Sequence, residues 1–282
     1  MSGTLLKSAS ESARCCDPLL KWPGGKRRLV QFILRLLPQR FGRYYEPFLG
    51  GGALFFALQP RPAHLSDNNA ELISAYLQVR NHPKAVIKQL AKLRNGETEY
   101  YAIRSEIPRT EAAKAARIIY LTTLAFNGIH RVNLRGEFNV PYGRKAHLRP
   151  CEPEKIMAVS KLLKKAAVKY EDFQVAVAGA QRGDAVYLDP PYTVAHSNNG
   201  FLKYNAKIFS WEDQKRLAEV AQELALKGCT VVVSNADHPS IRALYRSFDV
   251  LEIERHSVIA ASSEFRRPIT ECVFHNRHGK NA

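Results

Sequence analysis

The 282-residue chain predicts an α/β protein, a doubly wound sheet interrupted by an inserted, mainly helical region that closes in a β-hairpin. Three observations predict it. Helix-period and strand-period segments alternate near both ends of the chain, the pattern of a sheet with helices on its faces. Short apolar runs stop on acids, at Glu46, Asp67 and Asp189, the edge where open sheets bind ligands. Between the two α/β stretches lie basic helical segments, then a run with three glycines in which apolar and polar residues alternate.

Each element has its own signal. Residues 1–18 are polar and Ser-rich, without an apolar stretch, and predict a loose tail rather than a secretory leader. Leu29, Ile33, Leu36 and Leu37 sit at helical spacing and predict a helix over 26–37, ended by Pro38. A short strand is expected at 43–46, a glycine turn at 47–52 and a helix at 53–58. Residues 63–67 predict a second strand, and Asn69 caps a helix running to about Val79. Residues 84–124 are helical and basic, most clearly over 112–124. Residues 126–144 predict a loop and hairpin, with Arg135-Gly136 as its turn. Sheet order resumes after Pro153 with a helix at 154–165 and strands at 168–170 and 185–188. A helix at 212–226 ends at Gly228, which suits the position after a C-cap. A strand follows at 229–233, and 251–253 with 270–274 predict a final antiparallel pair. The α/β unit is thus expected to comprise 19–69 and 152–282, and the insert 70–151.

Lys and Arg number 42 against 26 Asp and Glu, a net charge of +16 and a pI near 9.7. A globular protein with that imbalance is expected to meet a polyanion. The five cysteines form no C-x-x-C pair, which predicts a reduced, cytosolic chain without structural zinc. No apolar run reaches the ~18 residues of a membrane span. H-E-x-x-H and G-x-S-x-G are absent, so hydrolytic metal or serine chemistry has no signature. Of nine histidines, His130 alone lies in the basic hairpin, where a solvated role is expected.

Three motifs carry chemistry. Asp189-Pro190-Pro191-Tyr192 follows the apolar run 185–188 and sets an acid, a carbonyl and a ring at a strand's C-terminal end. A planar amino group needs those parts: two acceptors for its hydrogens and a face to stack on. Glu46-Pro47-Phe48-Leu49-Gly50-Gly51-Gly52 puts glycines between strand and helix, where a ligand can approach the backbone. It is not a dinucleotide fingerprint, since Phe55 stands where the third glycine would. Asp67 ends the next strand, where an acid commonly holds ribose hydroxyls; an Asp before Asn-Asn equally suits a turn or cap. Lys21-Trp22-Pro23-Gly24-Gly25-Lys26 suggests a phosphate loop, but Leu20 and Arg27 break that motif, which disfavours a nucleotide kinase or ATPase.

These pieces, with Asn127-Gly128 and the stretch from Arg131 to Gly143, stand in the order of a known family. From about Leu20 to Phe274 the chain resembles the Dam-type (D12 class) DNA adenine-N6 methyltransferases; Pro23 replaces their usual Ala or Gly. The resemblance implies a Rossmann-like methyltransferase sheet and S-adenosylmethionine as cofactor. It implies that Trp22, Lys26, Glu46, Phe48, Gly50, Gly52, Asp67 and Asp189 line the cofactor site. Asp189, Pro190 and Tyr192 would be catalytic, and Asn127, Arg131, Asn133, Arg135 and Arg144 would meet double-stranded DNA from a target-recognition insert. Phe265-Arg266-Arg267 is expected at most to touch the backbone. GATC is the expected site. The expected setting is cytoplasmic, in a prokaryote or phage, as a monomer or weak dimer without metal. RNA adenine or cytosine N4 as acceptor stays open, as does a non-catalytic DNA-binding module.

Overall fold

A computed structural model describes residues 17–133, 135–193, 209–256 and 268–277. The N-terminal tail, all but its last two residues, and Phe265-Arg266-Arg267 lie outside the described residues. The predicted sheet is present, in the order β3-β2-β1-β4-β5-β7-β6. Its strands are β1 (Tyr44–Glu46), β2 (Ala63–Asp67), β3 (Ala166–Tyr170), β4 (Ala185–Leu188), β5 (Thr230–Ala236), β6 (Asp249–His256) and β7 (Pro268–His275). The first five are parallel, and β7 enters antiparallel between β5 and β6. Strand order reverses between β1 and β4, so a crevice opens above their C-terminal ends.

Both sheet faces are covered. Side chains alternate along each strand, so Tyr44 and Tyr187 join one apolar cluster while Tyr45, Val186 and Leu188 join the other. Every residue of β1 and β4 is buried, the near-continuous apolar texture expected of a parallel sheet. The covering helices are α1 (Val30–Leu36), α2 (Ala53–Leu58), α3 (Ala70–Asn81), α7 (Pro153–Leu163), α8 (Phe173–Val177), α9 (Trp211–Leu226) and α10 (Pro239–Leu244). Between α3 and α7 stand α4 (Pro83–Leu90), α5 (Glu97–Ser105) and α6 (Glu111–Leu124).

The helix ends follow local chemistry. Asn69 Oδ1 accepts from Leu72 N–H (2.9 Å), capping α3 as the sequence predicts. Ser210 and Asp213 form a reciprocal capping box at α9. The same helix closes at Gly228, with Gly228 N–H bonded to Ala225 O and Cys229 N–H to Leu224 O, both 3.0 Å. The hairpin is shorter than its alternation suggests. Bridges at Val132–Phe138 and Ala125–Tyr142, with Asn133 N–H to Glu137 O (2.8 Å), hold it together.

Candidate active site

Asp189 sits one residue beyond β4, at the crevice. Two groups reach its Oδ1: Lys26 Nζ at 3.1 Å and the Ser234 hydroxyl, donating at 2.6 Å. Ser234 belongs to β5, beside β4, and its Oγ also lies 3.0 Å from the Tyr187 hydroxyl. The Lys26 ammonium stands 4.3 Å from the Tyr192 ring centroid, a cation–π contact. The motif's acid and ring therefore share one cation, and Lys26 comes from the turn before α1.

Burial dominates the electrostatics. The Lys26 and Asp189 side chains are 6% and 18% exposed. Burial alone would depress the ammonium, but the Asp189 and Glu271 carboxylates outweigh it and hold Lys26 above its ordinary value. Burial pushes the Asp189 carboxyl up, and the charge of Lys26 and the Ser234 bond only partly restrain it. Glu46, at the end of β1, accepts from Tyr44 OH (2.7 Å) and is pushed up to about 8 by burial, with the nearby Asp189 charge adding to the rise. Glu46 is thus largely a neutral acid at pH 7.

Asp67 braces the glycine turn. Its Oδ2 accepts from Gly50 N–H (2.9 Å) and its Oδ1 from Asn69 N–H (3.0 Å). Burial raises this carboxyl to about 6 against those bonds. Tyr76 OH donates to Gly50 O (2.9 Å), so both backbone polar groups of Gly50 are held. Gly50 and Gly52 adopt φ of +46° and +67°, and a Cβ on Gly52 would stand 2.9 Å from the Phe56 ring. Phe48 stacks on Phe173 at 5.4 Å and meets Phe209 edge-on at 5.6 Å. The β1, β2 and β4 ends thus gather Glu46, Asp67, Asp189 and aromatic faces around a backbone turn. Hydroxyl and amino groups of a ligand find carboxyl acceptors here, and a planar ring finds aromatic faces. The donor set fits S-adenosylmethionine.

Trp22 joins this turn to the hairpin. Its edge packs on Gly50, where an added Cβ would lie 3.0 Å from Trp22 Cδ1. Its face stacks on His130 at 4.4 Å and 20°. His130 is buried, 3.7 Å from the Glu71 carboxylate and edge-on to Phe138 at 5.5 Å. The expected solvated histidine is therefore a packing residue; aromatic neighbours distant in sequence enclose it. Gly128 (φ +64°) lies against Lys21, where a Cβ would be 2.7 Å from Cδ.

The predicted DNA-facing residues divide into two kinds. Arg131 Nε donates to Asn139 Oδ1 (2.8 Å), and Asn133 Oδ1 accepts from Arg135 N–H (2.9 Å) and Glu137 N–H (3.0 Å). These two shape the hairpin. Asn127, Arg135 and Arg144 are exposed; Arg144 lies 3.8 Å from Glu97. Sequence reasoning missed Ser234, Tyr76, Gln214 and Glu271. For Ser234 a signal existed: Ser234-Asn235 is a polar pair ending the run Val231-Val232-Val233.

The family model for D12 class N6 adenine-specific DNA methyltransferases matches residues 22–259. The chain belongs to that family. It is accordingly an enzyme, a DNA adenine-N6 methyltransferase with the Rossmann-like sheet expected of it. It is 39% identical over 269 residues to the Type II methyltransferase M1.LlaDCHI of Lactococcus lactis subsp. cremoris, covering 92% of this chain and 95% of that protein. It is 30% identical to a DNA adenine methylase of Vibrio cholerae, over 89% of this chain and 93% of the relative. A DNA N-6-adenine-methyltransferase of Escherichia phage P1 is 32% identical over 85% of this chain, which spans 32% of the phage protein.

Proposed function

We propose that this D12-family enzyme transfers a methyl group from S-adenosylmethionine to N6 of an adenine extruded from duplex DNA, within the site GATC. The observation that carries this reading is the half-buried Asp189 carboxylate, fixed through Oδ1 by Lys26 and Ser234 beside the Tyr192 ring. When bound, S-adenosylmethionine supplies an electrophilic methyl on a sulfonium. Trp22, Lys26, Glu46, Phe48, Gly50, Gly52, Asp67 and Asp189 would line its site.

The residues' own work follows from the chemistry of the amine. The N6 lone pair of adenine is delocalised into the ring. Asp189 Oδ2 and the Pro190 carbonyl accept the two N–H bonds and favour a pyramidal nitrogen with a localised lone pair, by positioning and charge stabilisation. Lys26 takes one face of Tyr192, so the base stacks on the other. Extrusion costs a few kcal/mol, and stacking returns about 1–3 kcal/mol of that. The insert, residues 70–151, would hold the duplex. Arg135 and Arg144 are exposed there and suited to guanine edges or phosphates. Arg131 and Asn133 support the hairpin that presents Asn127 and Arg135. The bacterial and phage relatives support a prokaryotic or phage setting at DNA.

Labelled methyl transfer to duplexes varied at each position of GATC tests the reading. Asp189→Ala should abolish transfer and leave salt-dependent DNA binding intact; full turnover by that variant would remove the catalytic assignment. Equal transfer to every altered duplex would overturn the site.

A further inference from the structure

Two prolines in a row remove two backbone donors from the catalytic turn. Pro190 and Pro191 have no N–H, so only their carbonyls can tie this segment to the protein. One of them is tied. Gln214 Nε2, from the first turns of α9, donates to Pro191 O at 3.0 Å. Gln214 Oε1 accepts from Asn235 Nδ2, also at 3.0 Å, and Asn235 Oδ1 accepts from Ala236 N–H at 2.8 Å. Gln214 and Asn235 are both 0% exposed.

This chain of amides has a fixed direction. The Ala236 N–H requires Asn235 to present its carbonyl there, so its NH2 must face Gln214. Gln214 must then present its own NH2 to Pro191 O. A polar group buried this completely makes its bonds or costs free energy. β5 thus grips the turn twice. Ser234 holds the Asp189 carboxylate through its hydroxyl, and the next residue, Asn235, pointing to the other sheet face, holds the Pro191 carbonyl through Gln214.

We propose that Gln214 is a positioning residue for methyl transfer. By fixing the Pro191 carbonyl, it sets the orientation of the peptide before it and so aims the Pro190 oxygen at the second N6 hydrogen. This rests on the reading of Asp189 and Pro190 given above. It adds a residue that contacts neither donor nor base.

The test uses the full-length enzyme and two near-isosteric variants. Gln214→Glu turns the donor at Pro191 O into an oxygen. Gln214→Met keeps the volume and removes both bonds. Single-turnover methylation of a duplex substrate, donor and duplex binding by calorimetry and thermal melting are measured on each. The expected result is a fall in the transfer rate of about tenfold to a hundredfold, the scale of a misplaced reacting group, with donor and DNA dissociation constants within about threefold of wild type. Asn235→Leu should lower the rate similarly, and Asn235→Leu with Gln214→Met should be no worse than either alone. Wild-type rates in both Gln214 variants would overturn the proposal. So would losses confined to melting temperature or donor affinity, which mark a structural residue only. If the wild-type enzyme itself fails to methylate adenine, the proposed function falls instead, and the two failures are distinct.

Discussion

Lys26→Met separates the charge at the catalytic turn from its shape. The ammonium lies 3.1 Å from Asp189 Oδ1. At an effective dielectric of about 20, two unit charges at that distance attract by about 5 kcal/mol, a gross figure before desolvation. An opposite charge at such range generally moves a carboxyl down by about 1–3 pH units. Burial already holds Asp189 above its ordinary value, and Lys26 is the largest influence pulling it down. Removing the cation must therefore raise it further. Asp189 accepts an N–H far more strongly when ionised, so the acidic limb of the single-turnover rate should move up by about 1–3 pH units. At a fixed pH on that limb the rate should fall by about tenfold to a thousandfold. Lys26→Arg keeps the charge and should move the limb far less. Stability follows with the same sign. An acid whose folded value is raised favours folding less as pH climbs above its unfolded value, so the Met variant should melt progressively earlier at higher pH. Rates measured from pH 6 to 9.5 on both variants decide the matter. A Met variant that keeps the wild-type limb would refute the assigned role of Lys26.

Three further outcomes follow from the geometry. Glu46 titrates near 8 in the folded enzyme against 4.5 for an ordinary glutamate, so the wild type should lose stability as pH rises between those values; the total is on the order of 5 kcal/mol. Glu46→Gln mimics the neutral acid and should flatten that slope in urea melts at pH 5, 7 and 9; parallel slopes in the two proteins would exclude it. Asp67→Ala removes acceptors from Gly50 N–H and Asn69 N–H, a loss of about 1–3 kcal/mol if those donors stay buried; calorimetry should show donor affinity at least tenfold weaker with duplex affinity little changed. His130→Ala takes a ring from between Trp22 and Phe138 and should cost about 2 kcal/mol in denaturant melts, as core truncations do; a change below about 0.5 kcal/mol would return His130 to a surface role.

What the sequence disclosed was whatever is local. The strand 63–67, the cap at Asn69 and the glycine turn each rest on a few neighbouring residues and stand where they are predicted. Two short helices escaped. α8 and α10 have five and six residues, too few to display a helical period. α10 did carry a readable sign in Pro239 at its first position, with the His238 side chain accepting from Ser240 N–H. The partners of Asp189 were hidden for a different reason. Lys26, Ser234 and Asp189 meet only because β4 lies between β1 and β5 and the turn before α1 folds over their ends. No spacing in the chain encodes that.

The same topology explains why the polar groups at this edge tolerate burial. β5 carries Ser234 and Asn235 just before its last residue, Ala236, and β7 sets Glu271 opposite Ala236. Lys26 is raised by both Asp189 and Glu271, and its ion pair with Asp189 offsets the cost of burying either charge. Glu46, by contrast, is pushed up to about 8, chiefly by burial. Lys26 thus opposes the effect of burial on Asp189, while Glu46 is largely neutral at pH 7. If Glu271 shares Lys26 in this way, Glu271→Gln should lower Asp189 by removing a like charge. The acidic limb would then move down, opposite in sign to its movement in Lys26→Met. Movement in the same direction would mean that Glu271 does not act on Asp189 through charge.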